Sequence, residues 1–501
     1  MSMISEVLFY LTSHDLATVI TFSGLAMLPA AAVFAASEQS GNTPRRAAND
    51  GDANIGNNDT AQPQRDIEPL KKRAAELERV TARSIEQSEE LSDIYVELAT
   101  VAYKEDEELE TIIYLFNRAE KILNDTLAQG DDNEIRRKLG NVYLHRAVAY
   151  NDFDELDTAI ESYDAACAVL KPLDDAGDGE AKYDIAGIRL NRGTIYHQQG
   201  DYQKAKKDLD ESFLAFRAVE KISDLDTRFF MAKVSVAQGR LLQDMGEPLE
   251  KVVDAYNRAM RLFVELIDIG QMEHEQELAN VLIDRCSATY TDYKTREFES
   301  EAERLNKIGD VLIDVGRGIE ILERIVAAEP QNFDCQFDLF NAITTEGAIL
   351  LEIEKYHEAE KVYTKAAENF NNFKEIEEPV IMEHFAHVFE NRGICRMNQA
   401  NFNAAIDDFN EAIELTEKIQ DDAFGLDEDE KYEFMLPLVG FYANRATAWE
   451  RLGDKERAIN DCDKGNNVVT TLKSKLDKDS QDELESINST LQSLREQLTK
   501  Q

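Results

Sequence analysis

Residues 383–391 read EHFAHVFEN. Wound as a helix, this stretch sets His384 and His387 one turn apart with Glu383 and Glu390 close by, a two-histidine, one-carboxylate edge of the kind transition metals accept. A metal-dependent enzyme at His384 and His387 is one reading. An ordinary helix face is the other, because nothing else in the chain supplies a third and fourth ligand. The remaining chemistry is sparse. The chain has no P-loop, no dinucleotide glycine fingerprint and no G-x-S-x-G elbow, and HEQEL at His274 lacks the second histidine of a zincin. In DGDANIGNND, Asp50, Asp52 and Asn54 alternate like calcium ligands, but the sixth and twelfth places of such a loop hold Ile55 and Ala61 instead of Gly and Glu. The five cysteines, Cys167, Cys286, Cys335, Cys395 and Cys462, are widely spaced within helical patterns and imply neither a disulfide framework nor a zinc knuckle. No catalytic residue, metal site or cofactor is expected, and the function is sought in binding.

The charge balance narrows the partner. Lys and Arg number 55 against 99 acidic residues, a net charge of −44 that would repel phosphate backbones and excludes nucleic acid. At 501 residues the chain is long for a single core, so several domains or an elongated array are expected.

The apolar run from Leu16 to Ala36 carries no charge and is long enough either to span a bilayer or to serve as the core of an export signal. Pro29 and the small residues up to Ala35 favour cleavage after Ala35 and a periplasmic or extracellular protein. The first fifteen residues hold Glu6 and Asp15 but no Lys or Arg, and Arg45 and Arg46 follow the run; on the positive-inside rule this pattern belongs to a membrane tether at 16–36 with a cytoplasmic bulk. Residues 1–36 are thus a signal peptide or anchor. Residues 37–65, rich in Gly, Asn, Asp, Ala and Pro, are a flexible linker.

From about Asp66 the pattern is amphipathic helix throughout, with no strand-like alternation, so the fold class is all-α. A short signature recurs: HRA at His145, NRG at Asn191, AQG at Ala237, DRC at Asp284, TEG at Thr345, NRG at Asn391 and NRA at Asn444. Counted from its third residue, the steps through Ala147, Gly193, Gly239, Cys286, Gly347, Gly393 and Ala446 are 46, 46, 47, 61, 46 and 53, with a weaker copy at Thr100. Eight units result, one carrying an insertion before Gly347. Twelve residues beyond the signature comes another small residue (Ala159, Ala205, Ala359, Ala405, Ala458), and four further on a bulky one (Tyr163, Leu209, Tyr363, Phe409). A third small residue follows three later, at Ala166, Ser212, Ala366 or Ala412. Small residues let two antiparallel helices approach closely and the bulky one fills the gap. Gly200 and Gly453 stand where a left-handed residue would end the first helix.

These hairpins resemble the tetratricopeptide repeat over about three-quarters of the chain, with a longer period than the usual ~34 residues. The resemblance implies a right-handed superhelical solenoid of about eight antiparallel helix pairs over residues 93–470. An N-terminal capping helix at 66–92 and a C-terminal one at 471–501 would close it. At the latter, Ser480 and Glu483 match a capping box, and Leu484, Ile487, Leu491, Leu494 and Leu498 form one stripe. It also implies a protein or extended-peptide ligand held on the inner stripe of the first helices. That stripe carries Asn141, Asn151, His197, Lys233, Arg240, Gln243, Asn280, Tyr290, Asn341 and His387, with Leu144, Val148, Leu190, Thr194, Val236, Ile283 and Glu390 beside them. Asparagine can pair with a peptide backbone amide, while Lys233 and Arg240 could meet a carboxylate. The two-carboxylate clamp of the chaperone-binding subfamily is not expected, because Asn191 and Lys233 match it but Leu144, Val148 and Ala237 do not. The loops gather acid at Asp174, Asp175 and Asp178, at Glu375, Glu377 and Glu378, and at 427–430. This rim is either solvated or a docking surface through which copies of the chain would associate.

Overall fold

The computed structural model describes residues 67–501 apart from 106, 131, 220–223, 374–378, 421–423, 425, 427, 474, 476, 477 and 501. The apolar run, the linker and the calcium-like loop lie outside the described residues, as do Glu375, Glu377, Glu378 and Asp427. The chain divides into two compact units, the first described up to Val281 and the second from Leu282 onward.

The first unit holds α1 Glu68–Glu78, α2 Ile85–Lys104, α3 Leu109–Leu127, α4 Asn133–Asp152, α5 Leu156–Asp175, α6 Gly179–Gln198, α7 Tyr202–Val219, α8 Asp224–Asp244 and α9 Leu249–Asp268. A 3-10 turn at Met272–His274 leads into α10, Glu275–Thr295. The second unit continues with α11 Glu301–Ala328, α12 Phe333–Glu352, α13 Tyr356–Phe373, α14 Pro379–Asn398 and α15 Phe402–Ile419. It ends with α16 Glu428–Met435, α17 Pro437–Leu452, α18 Lys455–Leu472 and α19 Lys478–Lys500. No strand occurs among the described residues. Within each unit a helix packs chiefly on its neighbours in the chain, so the core passes from pair to pair.

Each pair closes where the sequence places its small residues. A Cβ added at Gly393 would stand 2.7 Å from the Phe409 ring, one at Gly347 2.8 Å from Tyr363, one at Gly239 2.7 Å from Tyr256 and one at Gly193 3.1 Å from Leu209. Those distances are too short for a side chain, so the second helix lies directly on the backbone of the first. Ala159, Ala205, Ala359, Ala405 and Ala458 are buried completely beside these contacts. An ion pair then staples three of the hairpins: Arg192 to Asp208, Arg392 to Asp408 and Arg445 to Asp461, each through two guanidinium nitrogens at 2.6–3.2 Å. The three aspartates are buried. Arg146 occupies the same place before Ser162 and turns to Glu120 and Asn117 as well.

Most of the added period lies in helix rather than loop: first and second helices run 18–21 residues in most pairs. The insertion before Gly347 is taken up largely by the 28 residues of α11, and the longer step before Ala446 includes the eight of α16. This places the acids differently from the expected rim. Asp174 and Asp175 belong to the last turn of α5, where they pair with Lys182 and Lys171. Asp178 caps α6 by accepting from the N–H groups of Glu180 and Ala181 at 3.0 and 3.2 Å, and it also binds Arg137. Residues 66–92 are not one helix: α1 ends at Glu78, and Ser84 opens α2 with a capping box completed by Gln87. At the other end α19 begins at Lys478, so Ser480 lies inside its first turn rather than before it. Leu484, Leu491 and Leu498 of α19 are buried, Leu491 against Gly465 of α18.

The turn inside six of the hairpins repeats. Seven residues after the signature, the backbone is left-handed at Asp154, Gly200, Gly246, Glu354, Ala400 and Gly453, with φ between 58° and 82°. The next N–H reaches back to the helix, as from Asp201 to the Tyr196 carbonyl at 2.8 Å and from Asn401 to the Arg396 carbonyl at 2.8 Å. A side chain in that conformation costs about 1–2 kcal/mol, partly offset because glycine has more freedom to lose on folding. Ala400→Gly is therefore expected to stabilise the second unit by ~0.5–1 kcal/mol, read as a raised urea midpoint in Trp449 fluorescence, and Gly200→Ala to destabilise the first by a similar amount. A lowered midpoint for Ala400→Gly would show that the turn is not under strain.

Candidate functional site

The expected stripe divides between the two units, and its residues have different fates in each. In the first unit, Asn141 on α4 and Gln243 on α8 are exposed, while Asn151, His197, Lys233, Arg240 and Asn280 are half-buried. Successive first helices lie side by side, as bonds between them show. Lys138 of α4 holds both oxygens of Asp93 on α2, at 2.8 and 2.6 Å. Tyr103 of α2 donates to Asp152 of α4, and His197 Nε2 of α6 lies 2.7 Å from Asp244 Oδ2 of α8. Asn151 therefore stands next to one inter-helix bond, with its Nδ2 3.4 Å from Asp152, and Gln243 next to another. The Lys233 ammonium sits 5.8 Å over the Phe229 ring, which in turn stacks on His274 at 4.8 Å. A cation held over an aromatic face keeps its charge available to a carboxylate. The first-unit stripe is thus a row of amides with two cations, Lys233 and Arg240, on a chain otherwise rich in acid.

The second unit differs. Tyr290 is buried. Asn341 is half-buried, and its backbone carbonyl accepts from the Thr344 and Thr345 hydroxyls at 3.0 and 2.8 Å. On α14 the stripe is covered altogether: Glu390, Ile394 and Met397 are buried, and His387 is nearly so. Tyr290 and His387 are therefore not groove-surface residues. The covering neighbour at His387 and Glu390 is α17, which sets the Phe441 ring 5.7 Å from His387 and donates from Asn444 Nδ2 to Glu390 Oε1 at 3.1 Å.

This packing also resolves the histidine pair. His384 turns its ring edge-on to Phe337 and Phe340 of α12, at 6.0 and 6.3 Å, while His387 faces α17 and keeps Nδ1 3.2 Å from Glu390 Oε2. The two imidazoles lean toward different neighbouring helices and do not present a common edge. Among the described residues no three His, Cys, Asp or Glu side chains converge as a metal would need. Burial and the nearby His387 push the His384 imidazole down to about 4. The five cysteines form no disulfide, four of them are buried, and burial pushes Cys395 and Cys462 up to about 12, so neither offers a thiolate near neutral pH.

Two features of the stripe went unread in the sequence. An acid recurs five residues after the signature, at Asp152, Asp244 and Glu352, and a donor from the preceding unit binds each: Tyr103, His197 and Lys294. The signature arginine likewise has its aspartate 16 residues later in three units. Both spacings stand in the sequence and become legible once the period is known.

Residues 186–215 match the family model for the tetratricopeptide repeat, spanning the second half of α6 and most of α7. No curated protein matches the chain. Among solved structures, BtubC of P. vanneervenii is 18% identical, with 52% of this chain and 90% of that one covered and a TM-score of 0.41. A tetratricopeptide repeat protein from Parabacteroides merdae is 15% identical, with 70% and 98% covered and a TM-score of 0.33. The apo form of the quorum sensor NprR from B. thuringiensis is 12% identical, with 85% and 99% covered and a TM-score of 0.38.

Because His384 is held neutral in the fold, it favours folding fully above the ordinary imidazole range, and this contribution is lost as pH falls toward about 4. Its ring resonances in an NMR pH titration are expected to move only near that value. Titration in the ordinary range would mean that its packing between Phe337 and Phe340 is wrong.

Proposed function

We propose that this chain, an array of tetratricopeptide repeats, works by holding a protein or extended peptide on the inner stripe of its first unit, and that it is not an enzyme. The observation that carries this reading is the run of exposed and half-buried amides and cations, Asn141, Asn151, Lys233, Arg240 and Gln243, on side-by-side first helices in a chain of net charge −44. Amides offer both a donor and an acceptor to an extended backbone, and Lys233 a counter-charge to an acidic side chain or terminus. The rim is the weaker candidate, because Asp174, Asp175 and Asp178 already serve a helix cap and three cations.

For the compartment, we propose export, with the apolar run from Leu16 as the signal core, cleavage after Ala35 and Ala36 as the mature N-terminus; Edman degradation of the secreted protein would read Ala36 first. Full-length protein retained in washed membranes with its repeats facing the cytoplasm would replace the signal by an anchor. Among the described residues no helix is long and apolar enough to cross a membrane.

The binding test uses the triple change Asn141→Ala, Lys233→Ala and Gln243→Ala. Surface changes of this kind alter stability by about 0.5 kcal/mol or less each, and loss of two or three hydrogen bonds at ~1 kcal/mol lowers affinity between roughly thirtyfold and 150-fold. Titration calorimetry with the protein captured by the wild-type chain measures that loss, and unchanged melting shows that the fold is intact. The matched control, Asp427, Glu428 and Asp429 to Asn, should bind as the wild type does at moderate salt. A rim variant that loses the partner while the stripe variant keeps it would move the docking surface to the acidic edge, and capture of the chain's own copies alone would make the protein a self-associating scaffold.

A further inference from the structure

Glu390 has no exposed surface, yet its neighbours do not supply the fixed cation that a buried carboxylate ordinarily requires. Oε1 accepts from Asn444 Nδ2 of α17 at 3.1 Å, and Oε2 lies 3.2 Å from Nδ1 of His387, one turn back on α14. The contrast with the other buried carboxylates is direct: Asp208, Asp408 and Asp461 each face a guanidinium that stays charged at every accessible pH. Only an imidazole faces Glu390, and an imidazole is charged only while it holds its proton. His387 Nε2 has no protein partner, so the proton that matters lies between Nδ1 and Oε2.

We propose that Glu390, His387 and Asn444 form a proton-operated latch between α14 and α17. One proton shared by carboxylate and imidazole keeps the centre neutral, and its loss in alkaline solution loosens the second unit. With the proton in place, either an ion pair or two neutral groups occupy the site. Without it, a bare carboxylate is buried next to a neutral ring in a chain that already carries −44. Among the described residues no cation but His387 acts on Glu390, because Arg392 and Arg396 of the same helix are committed to Asp408 and Glu360. On α14 itself stand Glu383, the neutral His384 and the Cys395 thiol; on α13, Tyr363 and Glu360; on α16, Glu433, which acts on Glu383; on α15, Asp408, already held by Arg392 and Arg396. From α17 come the Asn444 amide and the Phe441 ring, while Arg445 beside them is held by Asp461 and Asn410.

The proton affinities agree with this geometry. Burial raises Glu390 above the usual carboxylate range, outweighing His387 and Asn444. Burial opposes the His387 imidazolium, but the hydrogen bond and charge of Glu390, with the charge of Glu383, outweigh it and leave His387 above the ordinary imidazole value. Both groups hold protons more tightly folded than unfolded. Their contribution is therefore complete below the unfolded values and is lost as pH rises through the raised ones.

The chain's single tryptophan, Trp449, stands on α17 and reports on the second unit alone. Urea unfolding of the full chain, followed by Trp449 fluorescence, is run from about pH 6.5 to about pH 9, above the range where His384 acts in the opposite sense. The wild-type folding constant is expected to fall by up to about tenfold per pH unit over the range in which the unfolded chain has lost the proton and the folded state still holds it, levelling off above that range, while Glu390→Gln, which needs no proton, lacks that component. Wild-type and Glu390→Gln midpoints running parallel across the range would overturn the proposal. Should Glu390→Gln fail to fold, the His387 ring resonance in the wild type decides: titration above the free-histidine value supports the latch, and titration at or below it overturns it.

Discussion

In four pairs the second helix lies on the bare backbone of a glycine in the first, and the rest of the repeat is spaced from that contact. At Gly393 there is no room for a methyl group between the α14 backbone and the Phe409 ring, and at Gly347 none beneath Tyr363. Close-packed interiors do not absorb such overlap without moving the helices apart. Once the approach is fixed, the residue before the glycine faces the residue before the aromatic, which is where Arg392 meets Asp408. Seven residues beyond the glycine the chain must reverse within a single turn, which imposes the left-handed backbone even on Asp154, Glu354 and Ala400. A small signature residue thus dictates the staple and the turn as well as the contact itself.

The staples explain how so acidic a chain can bury carboxylates. Asp408 accepts from both Arg392 and Arg396 and is still pushed up by burial, so solvation lost on folding exceeds what two guanidiniums return. Such pairs contribute little net stability. Their effect is on specificity, because sliding one helix past the other by a turn would leave each charge buried alone. Exposed pairs such as Lys171 with Asp175 add little to stability, but they neutralise acids that a reading of loops alone assigns to a continuous negative rim.

The all-α class, the period and the contact residues were legible in the sequence, because glycine, alanine and aromatic residues recur at intervals that only a helical hairpin satisfies. Gly200 and Gly453 marked the turn for the same reason, and the three turn positions without glycine gave no local signal. The site was legible only in part. Asn141 and Gln243 lie at solvent on the expected stripe, whereas Tyr290 and His387 occupy matching positions but are buried. Position in the repeat fixes which way a side chain leaves its helix. Whether solvent or another helix is there to meet it depends on contacts between units of the repeat, which the period does not encode.

That difference gives a physical reason for placing ligand binding in the first unit. A stripe open to water can carry amides and lysine without penalty, and a ligand need only displace solvent from them. A stripe covered by a neighbouring helix must be apolar, or each polar group on it must find a partner within the protein. On α14 both solutions occur side by side: Ile394 and Met397 make the face apolar, while Glu390 and His387 satisfy one another with help from Asn444. For a peptide to reach this face, α17 would first have to give up the Asn444 bond and expose Phe441, so an extended ligand meets no open register there. The same repeat therefore yields a water-exposed stripe in one unit and a polar core contact in the other, and the difference follows from what covers the stripe rather than from the stripe's own spacing.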